Sequence, residues 1–250
     1  MIRGVLFDAG LTLVHPSPPV EQVYARELSA DGARFFTPEE LDLALTSTWE
    51  EVQAGGKPDR YAGVRGEGAF WGDFVNRVRG RLDGQPISAA CLERLVSHFR
   101  KSSSWAIYPD VPETLGELER RGLSLAIVSN WDSTLPALLD ALALTPRFAT
   151  VAVSAIEETG KPDPEIFLRV CARLSLAPRE CLHVGDSRRE DFEGARAAGL
   201  EAVLLDRNGR HGDLPSEVRI ASLVELARVI GEHAQGEGER RRAKGQGRSA

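Results

Sequence analysis

Residues 123–130 read Leu-Ser-Leu-Ala-Ile-Val-Ser-Asn. The apolar run Leu123–Val128 has the length of one strand, far short of a membrane helix, and it stops at two small polar residues. Helical spacing precedes it over 111–121 and follows it over 133–142. The alternation continues with a strand at 149–153, a helix at 164–175, a strand at Cys181–Val184, a helix at 188–198, a strand at Ala202–Leu205 and a last helix near 221–232. Strands separated by single helices run parallel through right-handed crossovers. From about Pro109 onward the chain therefore reads as an α/β fold with a doubly wound parallel sheet.

Upstream, Gly4-Val5-Leu6-Phe7 is a further buried strand that ends at Asp8. Residues 15–104 lack strand-like apolar runs. Their spacing predicts helices over Pro19–Ser29, after Thr37, over 67–82 and over 88–100. Thr37 with Pro38 and Glu40 forms a helix-start signature. An all-helical insert over 15–104 thus interrupts a core made of 1–14 and 105–232. Residues 233–250 are expected to form a disordered basic tail. From Gly236 they hold no large apolar side chain, and five Lys and Arg oppose two Glu.

The 250 residues are 42% hydrophobic, enough for a substantial core. The net charge of −6 argues against a nucleic-acid binder that works by neutralising phosphates. Cys91, Cys171 and Cys181 form no Cys-x-x-Cys pair, so neither a zinc site nor a disulfide framework is expected. Asp8 interrupts the first apolar stretch, which does not read as a secretory leader. A cytoplasmic protein acting on a small molecule, with no membrane partner, fits these features. Oligomeric state is not legible.

In an open parallel sheet ligands bind beyond the carboxyl ends of the strands. Those ends carry Asp8, Ser129-Asn130 and Gly185-Asp186-Ser187, and Lys161-Pro162-Asp163-Pro164 opens the helix after the 149–153 strand. Asp8 and Asp186 are hard oxygen ligands of the kind Mg²⁺ takes, and Asp191 adds a carboxylate to that site or supports it. Asp8 is free to attack phosphorus, while Ser129 and Lys161 are suited to a phosphoryl group.

The segments Asp8-Ala9-Gly10-Leu11-Thr12-Leu13, Val128-Ser129-Asn130, Lys161-Pro162-Asp163-Pro164 and Gly185-Asp186-Ser187-Arg188-Arg189-Glu190-Asp191 occur in order. With the helical insert after the first, this chain resembles the haloacid dehalogenase superfamily over residues 1 to about 230. Trp105 to Asp110 and Ser129-Asn130-Trp131-Asp132 are most similar to the branch related to the rhythmically-expressed-gene-2 proteins. The resemblance implies a Rossmann-like core with a helical cap. It also implies a Mg²⁺-dependent phosphatase that acts on a small phosphorylated metabolite through an aspartyl phosphate at Asp8. Ser129, Asn130 and Lys161 then bind substrate, and Asp8, the Gly10 carbonyl, Asp186 and Asp191 hold the metal.

One departure stands out. Phosphatases of the superfamily carry Asp-x-Asp-Gly-Thr, whose second Asp is the general acid and base. Here that position is Gly10, followed by Leu11. General acid–base catalysis is worth about 10²–10⁴-fold, so a slow phosphatase is expected. Hydrolysis of a C–X or C–P bond, or a non-catalytic binding protein on the same scaffold, are the alternatives. His15 and Asp132 are the candidates to replace the acid, although a hinge role for His15 and a helix cap for Asp132 are the simpler expectations. Trp131 is expected to pack against the helical insert.

Overall fold

Val5, Leu6 and Phe7 are inaccessible to solvent, as a strand covered on both faces requires. In the computed structural model, which describes residues 1–32, 34–55 and 66–231, the strands are β1 (Gly4–Phe7), β2 (Val14–Pro16), β3 (Trp105–Ile107), β4 (Ser124–Ser129), β5 (Thr150–Val153), β6 (Cys181–Gly185), β7 (Glu201–Leu205) and β8 (Arg219–Ile220). Helices α1 (Val20–Ala30), α2 (Pro38–Ala54), α3 (Gly66–Leu82) and α4 (Ala89–Phe99) lie between β2 and β3. Helices α5 (Val111–Arg120), α6 (Leu135–Ala141), α7 (Ser154–Glu157), α8 (Pro164–Arg173) and α9 (Gly194–Ala197) connect the later strands.

Six strands form one parallel sheet in the order β5-β4-β1-β6-β7-β8. The winding reverses at β1, which pairs with β4 on one side and β6 on the other. The doubly wound architecture expected from the alternation is present, with its switch point at the strand that ends in Asp8. Successive side chains supply opposite faces. Val5, Phe7, Leu125, Ile127 and Val184 pack with α5 and α6, whereas Leu6, Ala126, Val128 and Leu204 pack with α8 and α9.

The insert has an apolar cluster of its own, including Val23, Leu28, Phe36, Leu41, Phe74, Val78 and Leu95. The Thr37 signature forms as expected: the Thr37 hydroxyl accepts from the Glu40 amide at 3.3 Å, and Glu40 Oε2 accepts from the Thr37 amide at 3.0 Å. Arg79, 3% exposed, reaches Asp31 at 2.9 Å and stitches α3 to the end of α1.

Three local expectations need correction. The segment from residue 15 does not start as helix: β2 and β3 form an antiparallel ribbon, Val14 opposite Ile107 and Pro16 opposite Trp105, at the two ends of the insert. Three-residue strands are too short to show alternation in sequence. The helix expected over 188–198 opens as a wide π turn at Arg188–Glu193 before α9. The last helix opens two residues later than expected, with one 3₁₀ turn at Leu223–Glu225, and continues as helical backbone over 226–231. The basic tail expected at 233–250 lies outside the described residues.

After β1 the chain turns tightly. The Leu11 amide donates to the Val14 carbonyl at 2.7 Å, and Leu11 sits at φ +57° with its side chain half exposed. A left-handed backbone costs a non-glycine residue about 1–2 kcal/mol, and glycine gives back about 0.5–1 kcal/mol of that through its looser unfolded state. Leu11→Gly is expected to raise the stability by about 0.5 kcal/mol, and Leu11→Val to lower it, because a β-branched residue tolerates this region worst. Urea unfolding of the three proteins checks the order; a clear loss in Leu11→Gly would show that side-chain packing, not backbone strain, governs the turn.

Candidate active site

The carboxyl ends of β1, β4 and β6 sit side by side, so the residues that follow them share one edge. Asp8 leaves β1 with its amide bonded to the Val184 carbonyl at 2.9 Å. Its Oδ1 accepts from Lys161 Nζ at 2.7 Å and from the Ser129 hydroxyl at 3.0 Å. Its Oδ2 accepts no hydrogen bond among the described residues. One carboxylate oxygen is thus anchored, and the other is left for chemistry.

Lys161 is 2% exposed, and its ammonium also donates to Asp191 Oδ1 at 2.5 Å. The same oxygen contacts His183 Nε2 at 2.9 Å, and Asp191 Oδ2 accepts from the Ser187 amide at 2.9 Å. The wide turn at Arg188–Glu193 lets Asp191 reach back beneath the end of β6. The fit is close: a Cβ on Gly185 would stand 2.2 Å from Asp191 Cγ.

Lys161 lies on a loop, and Asn130 holds that loop in place. The Asn130 side chain donates to the Lys161 carbonyl at 2.7 Å and accepts from the Lys161 amide at 2.8 Å. It also donates to Glu190 Oε2 at 3.0 Å. Expected at the substrate, Asn130 instead has both ends of its amide engaged with the protein.

Asp8, Asp186 and Asp191 each offer an oxygen within 4.8 Å of the others. This all-carboxylate set is the donor chemistry that Mg²⁺ takes. Burial and the charges of Asp8 and Asp191 hold the Asp186 carboxyl well above the usual carboxylate range. Asp8 is raised by burial and by Asp191, against the pull of Lys161. Asp191 is lowered: burial opposes its charge, but Lys161 and His183 outweigh it. Lys161 is raised despite its burial, because Asp191 and Asp8 stabilise the ammonium. His183, fully buried, is lowered mainly by that burial.

The two candidate replacement acids face other groups. Asp132 Oδ1 accepts from the amide and hydroxyl of Thr134, and its Oδ2 accepts from Trp71 Nε1 of α3 at 3.0 Å. It braces the turn ahead of α6 and receives the insert. His15 Nδ1 is 3.1 Å from the Pro16 carbonyl, and its ring lies 4.5 Å from that of Tyr108. Among the described residues Trp131 packs with the core cluster and not with the apolar cluster of the insert. Its ring is 4.8 Å from that of Trp105 in β3, and a Cβ on Gly10 would lie 3.1 Å from its Cζ3. The insert meets this edge through Trp71, through Glu67, which accepts from the Ser133 amide at 2.7 Å, and through the Gln53 carbonyl, which accepts from Arg189 at 2.5 Å.

His183, Glu190 and the placement of Trp131 escaped the sequence reading. His183 left one trace, a lone polar side chain in the strand Cys-Leu-His-Val-Gly.

Residues 2–199 match the haloacid dehalogenase-like hydrolase family. The phosphoglycolate phosphatase of Escherichia coli is 37% identical over 85% of this chain and 84% of its own length. The human haloacid dehalogenase-like hydrolase domain-containing protein 3 is 30% identical over 82% of each chain. A HAD phosphatase structure from Thermococcus onnurineus superposes with a TM-score of 0.62 at 27% identity, covering 92% of this chain and 98% of that one. Among the described residues no helix is long and apolar enough to cross a membrane. Three strand-end segments and the Lys161 loop that meet at one edge of the sheet, and a match that runs through all of them, establish that this chain belongs to the haloacid dehalogenase-like hydrolases.

Proposed function

We propose that this hydrolase is a Mg²⁺-dependent phosphatase of small phosphorylated metabolites, with Asp8 as nucleophile. The observation that carries the reading is the division of Asp8 itself, in a cluster with Asp186 and Asp191: Oδ1 is fixed by Lys161 and Ser129, while Oδ2 accepts no hydrogen bond among the described residues. The phosphatase relative supports the substrate class. Residues 15–104 act as the cap that meets the site.

Asp8 attacks phosphorus; the bond to the leaving oxygen breaks, and that oxygen takes the electron pair. Water then attacks the phosphorus of the aspartyl phosphate, releasing inorganic phosphate and restoring the carboxylate. Lys161 opposes the protonation of Asp8 that burial favours and, with Ser129, offers donors to the phosphoryl oxygens. Asp8, Asp186 and the Gly10 carbonyl are the groups that would hold Mg²⁺, which when bound neutralises charge between the carboxylates and the phosphoryl group. Asp191, with both oxygens already engaged, positions Lys161 and the 186–187 turn.

Asp8→Asn is expected to lower turnover of any phosphate substrate at least about 10³-fold while leaving the circular dichroism spectrum unchanged. Undiminished turnover would remove Asp8 from the mechanism.

The raised Asp186 and Asp8 carboxyls give a metal prediction. A carboxyl raised in the fold keeps a proton that the unfolded chain has lost, so above the ordinary carboxylate pKa the metal-free protein loses stability as pH rises. Mg²⁺ binds the ionised forms and must displace those protons at low pH. Saturating Mg²⁺ is expected to raise the Tm more at about pH 7.5 than at about pH 5, measured by scanning calorimetry. Asp186→Asn is expected to lose most of the increment at both pH values. Equal increments in the unsubstituted protein would show that these carboxylates do not bind the cation.

A further inference from the structure

The nucleophile lacks a proton donor on one side, and the structure shows what stands there instead. Gly10, two residues after Asp8 on the same turn, has no side chain, and the indole of Trp131 fills the adjoining space, with Cζ3 3.1 Å from where a Cβ would be. The indole is held on several sides. The Trp131 amide donates to the buried Ser154 hydroxyl at 3.1 Å, its carbonyl accepts from the Ala155 amide at 3.3 Å, and its ring lies against Trp105.

Most of the other ionisable groups near Asp8 are engaged with the protein, and the half-buried phenol of Tyr108, which feels the charge of Asp186, has its ring against Arg207 and His15. Lys161 is shared between two carboxylates, Asp186 and Asp191 complete the cation cluster, and His183 lies behind Asp191 with no exposed surface. Glu190 accepts from Asn130, Asp132 from Thr134 and Trp71, and His15 lies on Tyr108. Among the described residues, each of these has a protein partner, and the position two residues after Asp8 carries no acid but faces the indole of Trp131.

We propose, on the strength of the phosphatase reading above, that the substrates are phosphoryl compounds whose leaving group is a weakly basic oxyanion, as in acyl phosphates and acidic aryl phosphates, and not alkyl monoesters. An alkoxide needs a proton to depart, and a missing donor costs such a substrate about 10²–10⁴-fold. A carboxylate or an acidic phenolate departs with its electron pair and needs none. The balance is complete without a donor: the Asp8 oxygen–phosphorus bond forms, the phosphorus–leaving oxygen bond breaks, and the anion is released as such. The same lack slows the attack of water in the second step, so phosphorylated Asp8 accumulates.

The test is a series of ring-substituted phenyl phosphates of similar shape and graded phenol acidity, with acetyl phosphate and phosphoglycolate added, assayed with Mg²⁺. The expected result is a kcat/KM that climbs steeply with phenol acidity, acetyl phosphate ranking with the best, and phosphoglycolate at least about 10²-fold below. Rapid quenching should show a burst of phenol and a mass gain of one phosphoryl group on the protein. Gly10→Asp combined with Trp131→Ala, which makes room for a carboxyl and supplies it, should flatten the dependence by raising the least acidic members about tenfold or more. Should that variant fail to fold, the slope of the unsubstituted protein decides alone. A flat slope, with turnover that still requires Asp8, overturns the leaving-group proposal and leaves the phosphatase reading standing. Absence of turnover across the whole series with Mg²⁺, or turnover that survives Asp8→Asn, overturns the phosphatase reading and this proposal with it.

Discussion

The Lys161 ammonium, buried between Asp8 at 2.7 Å and Asp191 at 2.5 Å, is the interaction on which the rest of this site depends. Three carboxylates within 4.8 Å of one another repel strongly where water is scarce. Burial alone would push all three toward the neutral form. Lys161 resolves this unevenly. Asp191 is held ionised, Asp8 is partly compensated, and Asp186, whose largest charged neighbours are Asp8 and Asp191, is raised well above the ordinary carboxylate range. A further positive charge would answer that repulsion, and the donor set is all oxygen. The placement of Lys161 therefore sets the charge of Asp8 and leaves negative charge unbalanced around Asp186.

An ammonium can play this part only if its loop is held. A free lysine side chain has considerable rotamer entropy to lose, and a loop adds backbone freedom to it. Asn130 removes the second cost by bonding the Lys161 amide and carbonyl together, in the manner of a neighbouring strand. Glu190 holds Asn130 in turn, and Glu190 and Asp191 both project from the wide turn after β6. One element thus fixes the lysine from two directions, through its charge and through its backbone. A regular α-turn would present residues 190 and 191 differently, which is a physical reason for the π geometry.

These relations were legible in sequence to different depths. The sheet was readable because its strands are continuous apolar runs with helical spacing between them, and Asp8, Ser129 and Asp186 were readable because each directly ends such a run. Lys161 was readable from its Pro-x-Pro helix start. The β2–β3 ribbon was not, since three residues carry no usable period and its pairing joins positions ninety-odd residues apart. The hold of Asn130 on the Lys161 loop was not legible, because an amide at a strand end looks the same whether it faces substrate or a neighbouring loop. His183 escaped because burial, not spacing, makes it part of the site.

Trp131 shows the same limit in a form that bears on chemistry. Its neighbours in sequence, Asn130 and Asp132, turn toward the Lys161 loop and toward α3, and between them the indole is left facing Gly10 and Trp105. Its backbone is tied to Ser154 and Ala155 at the start of α7, not to any helix of the insert. The wall beside the nucleophile is therefore built by the sheet and its strand-end turns. The insert touches the neighbouring residues Asp132, Ser133 and Arg189, so its contacts bear on how the site is covered. Beside Asp8, that wall consists of Gly10 and the aromatic pair of Trp131 and Trp105. There a residue with no side chain lies against one with the largest, and a Cβ on Gly10 would stand 3.1 Å from the indole.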